Sequence, residues 1–490
     1  MAMAVAQEQQ QRAGASASSP PRIRILDSAV MRPSPLPSGS APPECSLPLT
    51  FFDIFWLSVP PVERLFLYRL APDADVPAIL SNLKTSLSQA VRVFYPLAGR
   101  LRLTPGTSNH YELYYRPGDG VAFTVAEYDA AAAGGVDDDI DGLATDDPRE
   151  VARIAPLVPP LPAGGAVLAL QATLLPGRRG LAVGVTVHHA ACDGSGSTHF
   201  LHTWAAATCA RADAPSPPRP VIDRSLLADP RGLYDVFCRP APAPTADGEM
   251  EFFKAPADQL LATFTLSKDD VQRVKDVVAA EAARRGVAPP RCTSLVATLG
   301  FVWSCYLRAK DDTKAMATSA ARTGGDRARA CLLCPVDHRS QMKPPLPDNY
   351  LGNCIGPALC LAPREEVAAA GAGGLFSSCA TVAATINEAA SGIGTSSMDA
   401  WGDCIIGVAS SIGMLSVAGS PRFRVYDLDL GFGRPEKVDI VSVAKTGAVA
   451  VAESRHSAGG MEVGVSLPRD GMDRFHKCFA DAIAAGQNQS

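Results

Sequence analysis

A chain of 490 residues exceeds what one hydrophobic core normally supports, so its length points to two domains. Apolar residues make up 47% and charged residues 19%, the balance of a globular protein with a sizeable interior. The formal net charge of −5 excludes the broad basic face of a nucleic-acid binder. The best candidate membrane span, 405–417, is short and cut by glycine and serine, which argues against membrane insertion.

Residues 1–20 are rich in Ala, Gln and Ser and lack a basic segment followed by an apolar one. They read as a disordered tail, not a secretory signal. The thirteen cysteines are an odd number scattered through apolar surroundings, which fits reduced, buried thiols and a cytoplasmic location. Two similarly sized mixed α/β domains are expected, at 21–211 and 257–490, joined by a proline-rich linker over 212–256. In the first, Ile79, Leu80, Leu83, Leu87, Ala90, Val91 and Phe94 recur at helical spacing and predict an amphipathic helix over 76–94, ended by Tyr95-Pro96. Asp137-Asp138-Asp139 reads as a solvated loop. Residues 166–175 and 181–187 predict two strands joined by the turn Pro176-Gly177-Arg178-Arg179-Gly180.

The second strand runs directly into His189-Ala190-Ala191-Cys192-Asp193-Gly194. A histidine at a strand end is well placed to take a proton from a hydroxyl near neutral pH. Asp193, four residues on, can fix either the turn or the tautomer of the ring. His188 is the alternative base by adjacency. As a metal set, His188, His189 and Asp193 are crowded into one turn, so no metal site is expected. Ser195 lacks the GxSxG spacing of a nucleophile elbow, which argues against a serine hydrolase. A helix is expected over 198–210.

The stretch 215–256 carries too many prolines for a helix or central strand and reads as an extended connector. Beyond it, Ser267 and Asp270 form an N-cap signal for a helix over 271–285. Residues 293–307 read as a second, largely buried helix. Cys331 and Cys334 match CxxC, but no second pair accompanies them, so they read as structural thiols in a strand over 330–336. Near the C-terminus, Gly431 and Gly433 in Asp429-Leu430-Gly431-Phe432-Gly433 suit a tight turn.

Together the HxxxD and DLGFG segments resemble the paired signatures HxxxD and DFGWG of the BAHD family of plant acyl-CoA-dependent acyltransferases. Further segments in the same order are similar: Leu47-Pro48-Leu49-Thr50-Phe51-Phe52-Asp53 and Pro60-Pro61-Val62-Glu63-Arg64-Leu65-Phe66 to the opening strand and first helix, and Phe94-Tyr95-Pro96-Leu97-Ala98-Gly99-Arg100-Leu101 to its FYPLAGRL run. Val336-Asp337-His338-Arg339-Ser340, Tyr350-Leu351-Gly352-Asn353-Cys354 and Gly459-Gly460-Met461-Glu462 extend the likeness to the C-terminus.

The resemblance implies two mixed α/β domains, with a long crossover loop between them and the active-site channel at their interface. It implies a catalytic His189, no permanently bound cofactor, and an acyl-CoA as co-substrate. By the same resemblance Asp193 points away from the channel and makes a structural ion pair, and Asp429 pairs with an arginine of the second domain, for which Arg339 is the candidate. Phe432 stands where the family has tryptophan, which removes an indole N–H. Backbone amides or the Asn353 side chain, which is also the candidate contact for the coenzyme, remain as partners for the oxyanion of the tetrahedral intermediate. Arg308, Lys310, Lys314 and Arg322 are candidates for the coenzyme phosphates.

The branch most similar in these segments acts on flavonoid, anthocyanin and other phenolic glucosides, using malonyl-CoA or hydroxycinnamoyl-CoA. The expected partners are therefore an acyl-CoA and a phenolic glycoside acting on a monomer. A malonyl donor requires a cation for its carboxylate. Ser195-Gly196-Ser197-Thr198 supplies none, so an arginine or lysine distant in sequence must project near His189.

Overall fold

The computed structural model describes residues 22–129, 139–209, 217–238, 258–310, 329–392, 396–411 and 414–487. The expected tail, Asp137, Asp138 and both ends of the proline-rich linker, 212–216 and 239–256, lie outside them. Two mixed sheets dominate. The first has six strands in the order Arg22–Met31, Val121–Asp129, Leu168–Leu174, Gly180–Val187, Val62–Arg69 and Lys437–Ile440. The second has seven, in the order Ile355–Pro363, Arg329–Asp337, Leu415–Ala418, Ala448–Glu453, Met461–Pro468, Gln259–Leu266 and Arg149–Glu150.

The expected hairpin forms the centre of the first sheet. Leu168–Leu174 and Gly180–Val187 pair antiparallel, and every residue in both is buried. Strands buried on both faces read as continuous apolar runs, as these do. The helix Val76–Val93 forms as its spacing predicts and packs against the helix Gly194–Cys209. Between them Trp204 is buried, its Nε1 donating to Ser86 Oγ at 3.1 Å. The second sheet is covered by the helices Lys268–Arg285, Ser294–Ala309, Ala372–Ser391 and Arg469–Gln487, which share one core with it. Ser267 and Asp270 make the capping box anticipated for the first of these. Cys334 lies in the strand Arg329–Asp337 with its sulfur 4.0 Å from that of Cys360 on the adjacent strand, both buried.

Three expectations are corrected. The segment beginning at Pro60, expected as a helix, is the strand Val62–Arg69, paired on both edges by Gly180–Val187 and Lys437–Ile440. Leu65 to Tyr68 are all fully buried, so two hydrogen-bonded ladders and burial on both faces override the helical reading. The connector is not extended throughout. Between Pro230 and Pro240 the chain turns into the helix Leu233–Phe237, and Arg224 is buried against Tyr350 Oη at 2.8 Å and Leu351 O at 2.5 Å. The sheets also do not divide where the linker does. Lys437–Ile440 joins the first sheet from the C-terminal half, and Arg149–Glu150 joins the second from the N-terminal half. The two exchanged strands meet through a two-pronged ion pair, Arg149 with Asp439, at 2.9 Å for each contact and almost completely buried.

Candidate active site

The strand Gly180–Val187 ends one residue before His188, and the chain turns through His189 to Asp193 before entering the helix Gly194–Cys209. This turn is pinned from below. Asp193 is buried and accepts hydrogen bonds from the Gly196 and Cys354 amides at 3.0 and 3.1 Å, while Arg339 Nη2 lies 2.9 Å from its Oδ2. Burial raises the Asp193 carboxyl above its ordinary value, and the Arg339 guanidinium, with those two amides, opposes that rise. Asp193 faces Arg339 and not the imidazole, so the ion-pair reading describes its geometry and the tautomer-setting one does not. A Cβ at Gly194 would fall 2.5 Å from the Phe423 ring, so a side chain there would push that ring aside.

A second buried chain of contacts holds the histidine backbone. Asp53 caps its own helix by accepting from Thr50 Oγ1 at 2.8 Å, and its other oxygen accepts from the Asn353 amide and Nδ2 at 2.8 and 3.0 Å. Asn353 Nδ2 then donates to the His189 carbonyl at 2.9 Å. Asn353 is fully buried and both its amide hydrogens are spent in this way. The expectation that it donates to an oxyanion or contacts the coenzyme is therefore corrected: its polar group is turned inward, to the scaffold.

His189 lines a cavity of about 1690 Å³ that runs between the two sheets, bounded by Trp56, Val62 and Thr198 on one side and by Val336, Ile355 and Ser416 on the other. Its ring stacks on Trp56, centroids 4.0 Å apart and planes 12° from parallel. Nδ1 is buried without a well-formed hydrogen bond, which leaves Nε2 as the accessible nitrogen. Burial pulls the pKa of His189 down to about 4, with its own carbonyl and Asn353 opposing and Arg64 adding to the depression. His188 Nδ1 accepts from the Ala190 amide at 3.2 Å, and His188 does not line the cavity.

Asp429 stands apart. Its Oδ1 accepts from the amides of Gly431 and Gly433 at 2.8 and 3.0 Å, closing a turn in which both glycines have positive φ, 89° and 108°. The expected pairing of Asp429 with Arg339 is thus corrected: Arg339 is taken by Asp193 and Asp337, and Asp429 by its own loop. Phe432 packs edge-on against Tyr68, centroids 4.9 Å apart. Because an amide oxygen can accept the same two N–H bonds, Asp429→Asn is expected to cost little stability. Asp429→Ala, which removes both bonds at an exposed turn, is expected to cost about 0.5–1.5 kcal/mol. Urea titrations of the two variants check this order.

Arg308 and Lys310, offered for the coenzyme phosphates, do not line the cavity; Arg308 is turned to Cys305 and the Cys478 carbonyl. Lys314 and Arg322 lie outside the described residues. The arginines that do line it are Arg64, Arg291, Arg339, Arg422 and Arg424. Sequence reasoning missed Trp56 and Arg64 as wall residues. The signal at Arg64 was a cation heading the apolar run Leu65-Phe66-Leu67, where a buried charge needs a purpose.

The fold, two mixed sheets with a channel between them, is similar to that of vinorine synthase. That solved structure superposes with a TM-score of 0.66 at 18% identity, over 92% of this chain and 96% of its own. The sequence profile described as "Transferase family" matches residues 30–482. Among relatives, phenolic glucoside malonyltransferase 1 of Arabidopsis thaliana is 32% identical, over 92% of this chain and 96% of its own. A coumaroyl-CoA:anthocyanidin 3-O-glucoside-6''-O-coumaroyltransferase of the same plant is 28% identical, over 94% and 97%. The chain belongs to the BAHD family of acyl-CoA-dependent acyltransferases. Among the described residues no helix is long and apolar enough to cross a membrane.

Proposed function

We propose that this enzyme moves a malonyl group from malonyl-CoA to a sugar hydroxyl of a phenolic glucoside, of flavonoid or anthocyanin type, with His189 as general base. The observation that carries this reading is the placement of the His189 imidazole, Nδ1 buried and Nε2 accessible, on the wall of a cavity of about 1690 Å³. The malonyl donor is supported by the likeness to phenolic glucoside malonyltransferase 1, at 32% identity.

The thioester is already activated, so the chemistry needs no covalent enzyme intermediate. The acceptor oxygen attacks the thioester carbonyl carbon as its proton passes to His189 Nε2. The tetrahedral intermediate then collapses, the C–S bond breaks, and the proton returns from His189 to the departing coenzyme sulfur. Asp53, Asn353, Asp193 and Arg339 act as positioning residues, holding the backbone on either side of the imidazole. Hydroxycinnamoyl transfer is the second reading. The wall formed by Phe55, Trp56 and Phe237 favours it, since a flat phenolic tail would stack there.

The test is a screen of purified protein with malonyl-, acetyl- and coumaroyl-CoA against a panel of phenolic glucosides, read by product mass. A malonylated sugar as the dominant product supports the first reading; a coumaroylated one replaces it with the second. The pH profile tests the base. The imidazole must be neutral to accept a proton, so kcat/KM is expected to rise with pH through about 4 and stay level above it. An acid limb centred near the ordinary histidine value of 6.5 would contradict the buried environment assigned to His189.

A further inference from the structure

A malonyl donor differs from acetyl by one carboxylate, and burying that charge without a partner is costly. We propose that Arg64, held by Thr198 at the start of the helix Gly194–Cys209, binds this carboxylate and so selects the donor. The inference rests on the malonyl reading given above and adds the residue that enforces it.

Arg64 sits in the strand Val62–Arg69, is only 6% exposed, and lines the cavity together with His189, Gly194 and Thr198. Its Nη1 donates to Thr198 Oγ1 at 2.9 Å, and its guanidinium carbon lies 5.6 Å from the centre of the Phe423 ring. Among the described residues no carboxylate is in ion-pair contact with it; the nearby Asp193 is already held by Arg339. Buried arginines are ordinarily paired. Arg339, also buried beside this turn, follows that rule with two aspartates.

Two features make the place suitable for a carboxylate in particular. A guanidinium presents parallel N–H donors that match the two oxygens of one carboxylate, and here only Nη1 is engaged by a side chain of the described residues. Gly194 and Ser195, the first residues of the helix, line the same cavity, so the positive end of the helix adds to the field of Arg64. Burial lowers the Arg64 pKa to about 10, which still leaves it cationic at neutral pH. The phenolic tail of a coumaroyl donor would gain nothing from this charge and would have to desolvate it.

The experiment uses initial rates of the full chain with malonyl-CoA and acetyl-CoA at a fixed phenolic glucoside concentration. It compares the wild type with Arg64→Gln, Arg64→Lys and Thr198→Val. The readout is the ratio of KM for malonyl-CoA to KM for acetyl-CoA, because any effect of Arg64 on His189 is shared by both donors. Arg64→Gln is expected to raise this ratio by roughly 10–100-fold, the loss of one charge-assisted pair. Arg64→Lys keeps the charge without the fork and should raise it less. Thr198→Val, which frees the guanidinium from its tether, should raise it measurably, and decides the matter if Arg64→Gln does not fold. An unchanged ratio in an enzyme that does use malonyl-CoA overturns the assignment of Arg64 and leaves the donor reading standing. A wild type that transfers coumaroyl but not malonyl groups overturns both.

Discussion

His189→Ala is expected to lower turnover by about 10²–10⁴-fold, the usual contribution of a positioned general base. Its unfolding midpoint should move little, because the neighbouring backbone is held by Asn353 and Asp193 and not by the imidazole. The loss should fall on kcat more than on the KM for the acyl-CoA, since the proton is transferred only in the transition state. His188→Ala is the matched control. His188 accepts from the Ala190 amide and does not line the cavity, so its removal should leave most of the activity. A variant pair in which His189→Ala stays active and His188→Ala does not would refute the assignment outright.

The largest loss of stability is expected from Asp193→Ala. Asp193 and Arg339 are both nearly inaccessible; removing Asp193 leaves Arg339 with the half-exposed Asp337 alone and orphans the Gly196 and Cys354 amides, at a cost of about 3–5 kcal/mol. That is a large share of the margin by which a typical domain is folded. The two residues come from opposite halves of the chain, so the damage should appear as loss of soluble enzyme and a lower melting temperature, with activity falling in proportion. The double variant Asp193→Ala/Arg339→Met removes both charges and should recover part of the loss. Asp193→Ala melting within a degree or so of the wild type, yet catalytically dead, would instead place Asp193 in the chemistry.

Local features of this protein were legible before any coordinates. The helix Val76–Val93, the central hairpin and the capping box at Ser267 each depend on residues within a few positions of one another, which periodicity and cap chemistry report directly. His189 was legible as a histidine at a strand end within a family-like pattern. Partnerships were not. Asp193 and Arg339 are 146 positions apart, and nothing in their spacing says that Arg339 turns to Asp193 and not to Asp429. Asn353 shows the same limit from another side. A polar residue beside an active site can face the cavity or brace it from behind, and residue type does not distinguish the two. Arg64 was hidden because its segment resembled a helix, whereas Val62–Arg69 is a strand whose central residues are buried on both faces.

The exchanged strands bear on how substrates enter and leave. Each half lends the other a strand, and Arg149 and Asp439 fasten those strands together away from water. Swinging the halves apart would tear both sheets at their edges and expose the joined charges at once, so this clasp opposes hinge opening of the kind used by many two-lobed enzymes. Passage through the channel therefore falls to side chains at its mouths and to surface loops. The size and charge of what gets in are decided by a cross-section the fold keeps nearly constant.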